Sequence, residues 1–149
     1  MTTVGLDARI EGDARHRARF REAIAEVAGN PIIGGFSLGA RIAATLCSDA
    51  APRALLGFGY PFHAPEDAEM RRGLDALRQV NVPTRIIQGT RDPHGTEIEV
   101  ENYGLPDCVQ MSWLADGNHR FVPRQRSGFT QEDHIVGAAE LAISFVRSQ

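Results

Sequence analysis

The segment Pro31–Gly39, with the sequence PIIGGFSLG, decides the fold that we expect for this chain. Its apolar first half, bounded by glycine, predicts a short buried strand over residues 31–36. The alanine-rich residues 38–47 that follow carry apolar side chains four apart and predict a buried helix. Ser37 would therefore lie on a sharp turn from strand to helix, where a strained backbone raises its hydroxyl above the sheet.

The turn around Ser37 has the pattern Gly-x-Ser-x-Gly, which is typical of a serine nucleophile between a strand and a helix. We expect Gly35 and Gly39 to let the strand and the helix pack closely here. The N–H of Leu38 can donate to a developing oxyanion, and the helix N-terminus favours negative charge. A glycine-rich turn of a nucleotide-binding fold is less favoured, because a G-x-G-x-x-G pattern and a helix-opening lysine are both missing.

Strand-like and helix-like segments alternate along the chain, which is typical of a parallel α/β sheet. Three further strands are expected at residues 54–58, 84–88 and 109–114. The other helices are expected at residues 13–29, capped by Asp13, and at residues 66–79, 95–103 and 131–146. Because the strands are continuously apolar, helices should cover both sheet faces. The sequence therefore predicts one α/β domain over residues 1–149, a three-layer parallel sheet of about four strands, with residues 1–12 as a weakly structured tail.

Composition narrows the functional classes. The chain has 149 residues, of which 42% are hydrophobic, and this composition argues for one globular domain. Its net charge of −3 argues against a nucleic-acid binder. All 16 basic residues are arginine, so Schiff-base chemistry on lysine is excluded. Neither a membrane span nor a signal peptide is expected. Cys47 and Cys108 lack metal-ligand spacing, and they favour a reducing compartment, with the cytoplasm as the expected location. Because the chemistry of a serine nucleophile needs neither a metal nor an organic cofactor, we expect neither.

A reactive serine needs a base, and the base needs an acid that orients it. In the order Ser…Asp…His, the acid follows a later strand and the histidine follows the last one. Asp92 stands just beyond the third predicted strand, and His119 stands just beyond the fourth. Because parallel strands end at one edge of the sheet, we expect Ser37, Asp92 and His119 to lie together there.

Other side chains compete for these roles. Asp116 is a rival acid, but its place three residues before the histidine base favours a role in shaping that loop. His94 follows the acid too closely to be oriented by it, and we expect it to face solvent. Tyr60 and His63, after the second strand, are candidates to line a substrate pocket, although a structural role is favoured for His63. Cys47, in a buried helix, is expected to be a core side chain rather than a nucleophile.

The arginines fall into two groups. Arg124, in the segment 123–127 soon after the histidine base, can either receive an anionic group of the substrate or tether the loop, and the sequence leaves both open. The arginines within residues 15–21 are expected on a solvated helix face, because Glu22 and Glu26 accompany them.

The chain resembles a known superfamily in several segments. Residues 35–39 (GFSLG), 89–92 (GTRD) and 116–119 (DGNH) are together similar to the α/β-hydrolase superfamily, in its dienelactone-hydrolase-like branch. Residues 59–63 (GYPFH) and 123–128 (PRQRSG) are more specifically similar to the small group related to a scaffold subunit of the NSL histone acetyltransferase complex. The resemblance covers roughly residues 13–147. It implies that Ser37 is the nucleophile, Asp92 the orienting acid and His119 the base.

One departure from that family concerns the start of the fold. Members of the superfamily carry several strands before the serine turn, and a loop after one of them supplies a second oxyanion donor. Here about thirty residues precede Ser37, so we expect a truncated hydrolase core. The strand containing Ile32 and Ile33 would then form an apolar sheet edge, which invites pairing with a second copy or a partner chain.

Two functions of different classes follow. The first is a serine hydrolase that acts on a small carboxylic ester or thioester through an acyl-enzyme. The alternative is a non-catalytic binding or scaffold module that retains the hydrolase core. Two observations favour this alternative, the uncovered strand and the resemblance to a scaffold subunit.

Overall fold

The computed structural model describes residues 4–149, and the side chains of residues 12–149. Helices and strands alternate, and a 3₁₀ turn at Gln125–Ser127 precedes the last helix. The elements in chain order are α1 (Val4–Ala25), β1 (Ile32–Phe36), α2 (Leu38–Ala50), β2 (Ala54–Phe58), α3 (Arg72–Arg78), β3 (Thr84–Gly89), α4 (Glu97–Glu101), β4 (Val109–Leu114) and α5 (Gln131–Arg147). The four strands agree with the expected ones to within one residue at each end.

The four strands form one parallel sheet in the order β1-β2-β3-β4, which is also their order in the chain. Gly35 of β1 lies beside Gly57 of β2, and Gly89 of β3 lies beside Leu114 of β4. All four carboxyl ends therefore meet at the same edge of the sheet. Within the part of the chain that is described, β1 pairs only with β2, so its other side is an open edge, as the sequence predicts.

Helices cover both faces of the sheet, which confirms the three-layer architecture. On one face, α2 packs against β1 and β2, and α1 and α3 pack against α2. The main core lies on this side, around Leu55, Tyr60 and Ile86. On the other face α5 packs against β3 and β4, over a smaller cluster that includes Ile87 and Leu114. Because α5 lies over those two strands, Phe36 at the end of β1 remains 47% exposed.

The first helix differs from the expectation at both ends. Residues 4–12, expected as a weakly structured tail, belong to α1, while residues 1–3 lie outside the described part. Gly12 did not stop the helix, since one internal glycine costs only about 1 kcal/mol. Asp13 is therefore not an N-cap, and its carboxylate instead pairs with Arg41 of α2 at 2.9 Å. The helix ends at Ala25 rather than Gly29, which takes a positive φ of 80° beyond it.

Helices α3 and α4 are also shorter than the expected ranges 66–79 and 95–103. Residues 66–71 are not helical and include turns, because the side chain of Asp67 accepts hydrogen bonds from the N–H groups of Glu69 and Met70. Such local bonds compete with helical ones. Thr96 caps α4 together with Glu99, which fixes the start of that helix. Within residues 4–149, no helix is both long and apolar enough to cross a bilayer.

Candidate active site

Ser37 lies on the strained turn that the sequence predicts. It joins the last residue of β1 to the first of α2, with φ 51° and ψ −119°. Its N–H donates to the carbonyl of Phe58 at 2.9 Å, which continues the pairing of β1 with β2 beyond the strand. A positive φ outside glycine costs about 1–3 kcal/mol and persists only where the surroundings enforce it.

The two glycines of the turn have different roles. A Cβ on Gly35 would lie 2.8 Å from the carbonyl carbon of Gly39 and 3.0 Å from the nitrogen of Ala40, so this position must stay small. A Cβ on Gly39 would meet nothing within 4 Å, and the expected packing role of its missing side chain is therefore wrong. What Gly35 contacts is the backbone of Gly39. Leu38 begins α2, so its N–H has no partner within the helix and remains available to an oxyanion.

Three side chains from three strand ends form a hydrogen-bonded chain. His119 Nδ1 lies 2.8 Å from Asp92 Oδ2, and His119 Nε2 lies 2.9 Å from Ser37 Oγ. Asp92 follows β3 and is fully buried, whereas His119 follows β4 and keeps 20% of its side chain exposed. The other carboxylate oxygen, Oδ1, accepts the N–H of His94 at 2.9 Å. The arrangement can move a proton from the serine hydroxyl to the imidazole.

The loops that carry Asp92 and His119 pack backbone against backbone. A Cβ on Gly89 would lie within 2.6 Å of three backbone atoms of Gly117 and Asn118. The N–H of Arg91 donates to the carbonyl of Gly117 at 2.9 Å. These contacts fix the distance between the acid and the base.

Asp116 and Arg124 tether the loop that carries His119. Asp116 Oδ1 lies 2.8 Å from Arg124 Nε and 3.1 Å from Arg91 Nε. The hydrogen bonds from Arg124 hold the pKa of the Asp116 carboxyl below its usual range. Asp116 therefore braces the loop and does not orient the imidazole. The sequence left two roles open for Arg124, binding an anionic group of the substrate or tethering the loop. The structure favours the tether, because the guanidinium binds the Asp116 carboxylate and does not line the cavity beside Ser37.

A cavity of about 400 Å³ lies beside Ser37. It is open to solvent and its polar lining includes three histidines and two arginines. Its lining residues are Gly12, Asp13, His16, Ser37, Leu38, Arg41, Pro61, His63, Ala64, Met70, Arg72, Gly73 and His94. A cavity of this size suits a small molecule.

Of the two candidate pocket residues after β2, His63 lines this cavity and Tyr60 does not. Tyr60 is fully buried in the core, and its hydroxyl donates to the carbonyl of Gly73 at 2.9 Å. Burial raises the pKa of this phenol. His63 is itself 5% exposed, and its Nδ1 lies 2.8 Å from the carbonyl oxygen of Ala64.

Sequence reasoning missed two residues in contact with His119. His94, expected to face solvent, places its ring 4.4 Å from that of His119, centroid to centroid. Gly59 takes a φ of 53°, and a Cβ there would lie 2.9 Å from the carbonyl oxygen of His119. The signal for Gly59 was available, because it is the glycine directly after the second strand.

The remaining candidate nucleophile is not reactive. Cys47 is 1% exposed in α2, and burial raises the pKa of its thiol to about 12, so almost no thiolate forms at neutral pH. Among the described residues, there is no group of three or more His, Cys, Asp or Glu side chains that could hold a metal ion.

Comparisons with known proteins agree with this fold. A serine hydrolase homologue from Coxiella burnetii is similar over 86% of this chain and 55% of its own, with a TM-score of 0.61 and 21% identity. An esterase domain from Rhodothermus marinus is similar over 87% of this chain and 66% of its own, with a TM-score of 0.57 and 16% identity. A thioesterase domain from the curacin biosynthetic pathway is similar over 87% of this chain and 71% of its own, with a TM-score of 0.59 and 14% identity.

The chain thus spans about half the length of the Coxiella structure and about two thirds of the other two. At these identities the likeness shows a shared fold. A comparison with curated proteins finds no significant match. The profile of one family, described as an alpha/beta hydrolase domain, matches residues 12–147. Because that match covers nearly the whole chain, this protein belongs to the alpha/beta hydrolase domain family.

Proposed function

We propose that this protein is a serine hydrolase acting on a small carboxylic ester or thioester. The observation that carries the proposal is the hydrogen-bonded chain from Asp92 through His119 to Ser37. Serine hydrolase, esterase and thioesterase are also the descriptions of the structures that share its fold. The free thiols of Cys47 and Cys108 support action in the cytoplasm.

The first half of the reaction forms an acyl-enzyme. Ser37 Oγ attacks the substrate carbonyl carbon while His119 Nε2 takes the hydroxyl proton. The carbonyl oxygen becomes an oxyanion that accepts the N–H of Leu38. Asp92 holds the proton on His119 Nδ1 and stabilises the imidazolium. When the tetrahedral intermediate collapses, the bond to the alcohol or thiol breaks, and His119 returns the proton to that leaving group.

The second half frees the enzyme. Water attacks the acyl carbon while His119 Nε2 takes its proton, and collapse of the second intermediate breaks the bond to Ser37 Oγ. The serine recovers its proton and the carboxylic acid leaves. Leu38 is the one oxyanion donor that we assign within the described residues. Since each such donor contributes about 10²–10³ in rate, we expect slow turnover in the isolated chain.

Fluorophosphonate labelling tests this proposal. We expect one adduct on Ser37 of the native protein, located by mass spectrometry, because the probe reports an activated serine. Ser37→Ala should give no adduct, and His119→Ala should slow labelling by at least about 10³-fold. Circular dichroism checks that each variant is folded. Absence of an adduct on folded native protein would contradict the hydrolase assignment.

The open edge of β1 favours a second candidate, a module that pairs with another chain. The N–H of Ser37 points to β2, and because N–H groups alternate along a strand, those of Ile32, Gly34 and Phe36 point to the open edge. We propose that a second copy of the chain, or a scaffold partner, adds a strand there. In that reading the hydrolase core serves binding alone.

Sedimentation of purified protein tests the homodimer. We expect a dimer for the native chain and a monomer for Ile32→Pro, because proline removes an N–H from the open edge while the pairing with β2 remains. Ile32→Val keeps that N–H and should remain dimeric. A folded native monomer at about 100 µM, well above a micromolar dissociation constant, would argue against the homodimer.

A further inference from the structure

His94 shares a carboxylate with His119. The backbone N–H of His94 donates to Asp92 Oδ1 at 2.9 Å, while Asp92 Oδ2 lies 2.8 Å from His119 Nδ1. Asp92 is fully buried, so its two oxygens have fixed places. The backbone of His94 is therefore held in a constant relation to the imidazole of His119.

The ring of His94 is fixed as well. Its Nδ1 lies 3.0 Å from the carbonyl oxygen of His63, and the N–H of His63 donates back to the carbonyl of His94 at 3.3 Å. Because a carbonyl oxygen only accepts, Nδ1 of His94 carries the proton in this bond. The reciprocal pair joins the loop after β2 to the loop after β3. The imidazole of His94 is thus anchored at its backbone and at its ring.

This anchored ring packs against His119. The two ring centroids lie 4.4 Å apart with an interplanar angle of 47°, and the ring of Phe36 lies 5.2 Å from His119 at the same angle. Hydrogen bonds at Nδ1 and Nε2 fix the two ends of the His119 imidazole. They leave the ring free to tilt about the line that joins those ends, and contacts with neighbouring rings restrict that tilt.

We propose that His94 is a positioning residue, which through its ring keeps the imidazole of His119 aligned with Ser37 Oγ. This inference rests on the proposed serine hydrolase function. It concerns the ring contact and assigns no proton transfer to His94. A misplacement of about 1 Å in a reacting group can cost about 10² in rate, so a loosened His119 should show clearly.

Three substitutions separate the ring contact from the hydrogen bond to His63. His94→Ala removes both, His94→Phe keeps an aromatic ring without the donor, and His94→Asn keeps a side-chain N–H donor without the ring. We expect the rate of fluorophosphonate labelling at Ser37 to fall by about 10–100-fold in the Ala and Asn variants. The Phe variant should stay within about threefold of the native rate. With an ester substrate, the loss in the Ala and Asn variants should fall on kcat rather than KM.

Proton NMR supplies a readout that does not need activity. The proton that His119 Nδ1 shares with Asp92 should resonate far downfield in the native protein and in His94→Phe, and it should broaden or vanish in His94→Asn. If the Asn variant labels as fast as native protein while the Phe variant is slow, the hydrogen bond matters rather than the ring, and the proposal is overturned. Native rates and an intact resonance in all folded variants overturn it too. If native protein fails to label, the hydrolase function fails, while the resonance still tests the alignment.

Discussion

Asp92→Asn is expected to lower the rate of Ser37 acylation by about 10⁴, with little change in the fold. The amide oxygen can still accept the N–H of His94, which now binds Asp92 Oδ1. The amide nitrogen then faces His119 Nδ1 and, being a donor, requires a lone pair there. The imidazole proton moves to Nε2, and Nε2 can no longer take the proton of Ser37. Labelling kinetics with a fluorophosphonate measure the effect.

A matched substitution isolates that tautomer effect. Asp107 is exposed and precedes the amino end of β4, whereas the three site residues follow the carboxyl ends of their strands at the opposite edge of the sheet. Asp107→Asn makes the same change of one carboxylate to an amide and should leave the labelling rate within about twofold, as for most surface substitutions. If Asp92→Asn labelled as fast as this control, Asp92 would not be the orienting acid.

Gly89→Ala is expected to damage both stability and activity. The added methyl would lie 2.3 Å from the carbonyl oxygen of Gly117, where backbone rather than a movable side chain fills the space. The loops of Asp92 and His119 must then separate. Overpacking of this kind typically costs about 1–3 kcal/mol, and the separation should slow labelling of Ser37 by at least about 10²-fold. Thermal unfolding and labelling measure the two effects on one preparation.

Gly137→Ala is the control for that substitution. Gly137 lies within α5, and a Cβ there would meet nothing within 4 Å. Alanine should therefore raise the free energy of unfolding by about 0.5–1 kcal/mol, because it favours the helix over the unfolded chain. Its labelling rate should match that of the native protein. Equal melting temperatures for native protein and Gly89→Ala would contradict the close approach of the two loops.

The parts of the fold that the sequence could predict are those set by local pattern. Apolar runs bounded by glycine or proline located the strands, and parallel pairing then brought the ends that carry Ser37, Asp92 and His119 to one edge. The start of α1 was missed, because a glycine inside a helix weakens it without ending it. Tyr60 was a candidate pocket residue, but a tyrosine after a strand can point either to a cavity or to the core. Here it lies in the core, where its hydroxyl donates to the carbonyl of Gly73.

The role of His94 required the structure. Its distance of two residues from Asp92 suggested that it would point away, yet the turn returns its ring onto His119. That placement depends on a hydrogen bond to His63, a residue 31 positions away in the chain. Local sequence carries no sign of such a bond. The role of Arg124 also depends on the folded loop after β4, which brings its guanidinium to the carboxylate of Asp116.

The backbone of Ser37 bears on the choice between enzyme and scaffold. Its φ of 51° is a conformation that glycine adopts far more readily, at a cost of about 1–3 kcal/mol for serine. The free energy of unfolding of an ordinary domain is only about 5–15 kcal/mol, so this strain is a sizeable fraction of it. A chain selected for binding alone would be more robust with glycine here. Serine at this position therefore supports the proposed hydrolase function over the scaffold module.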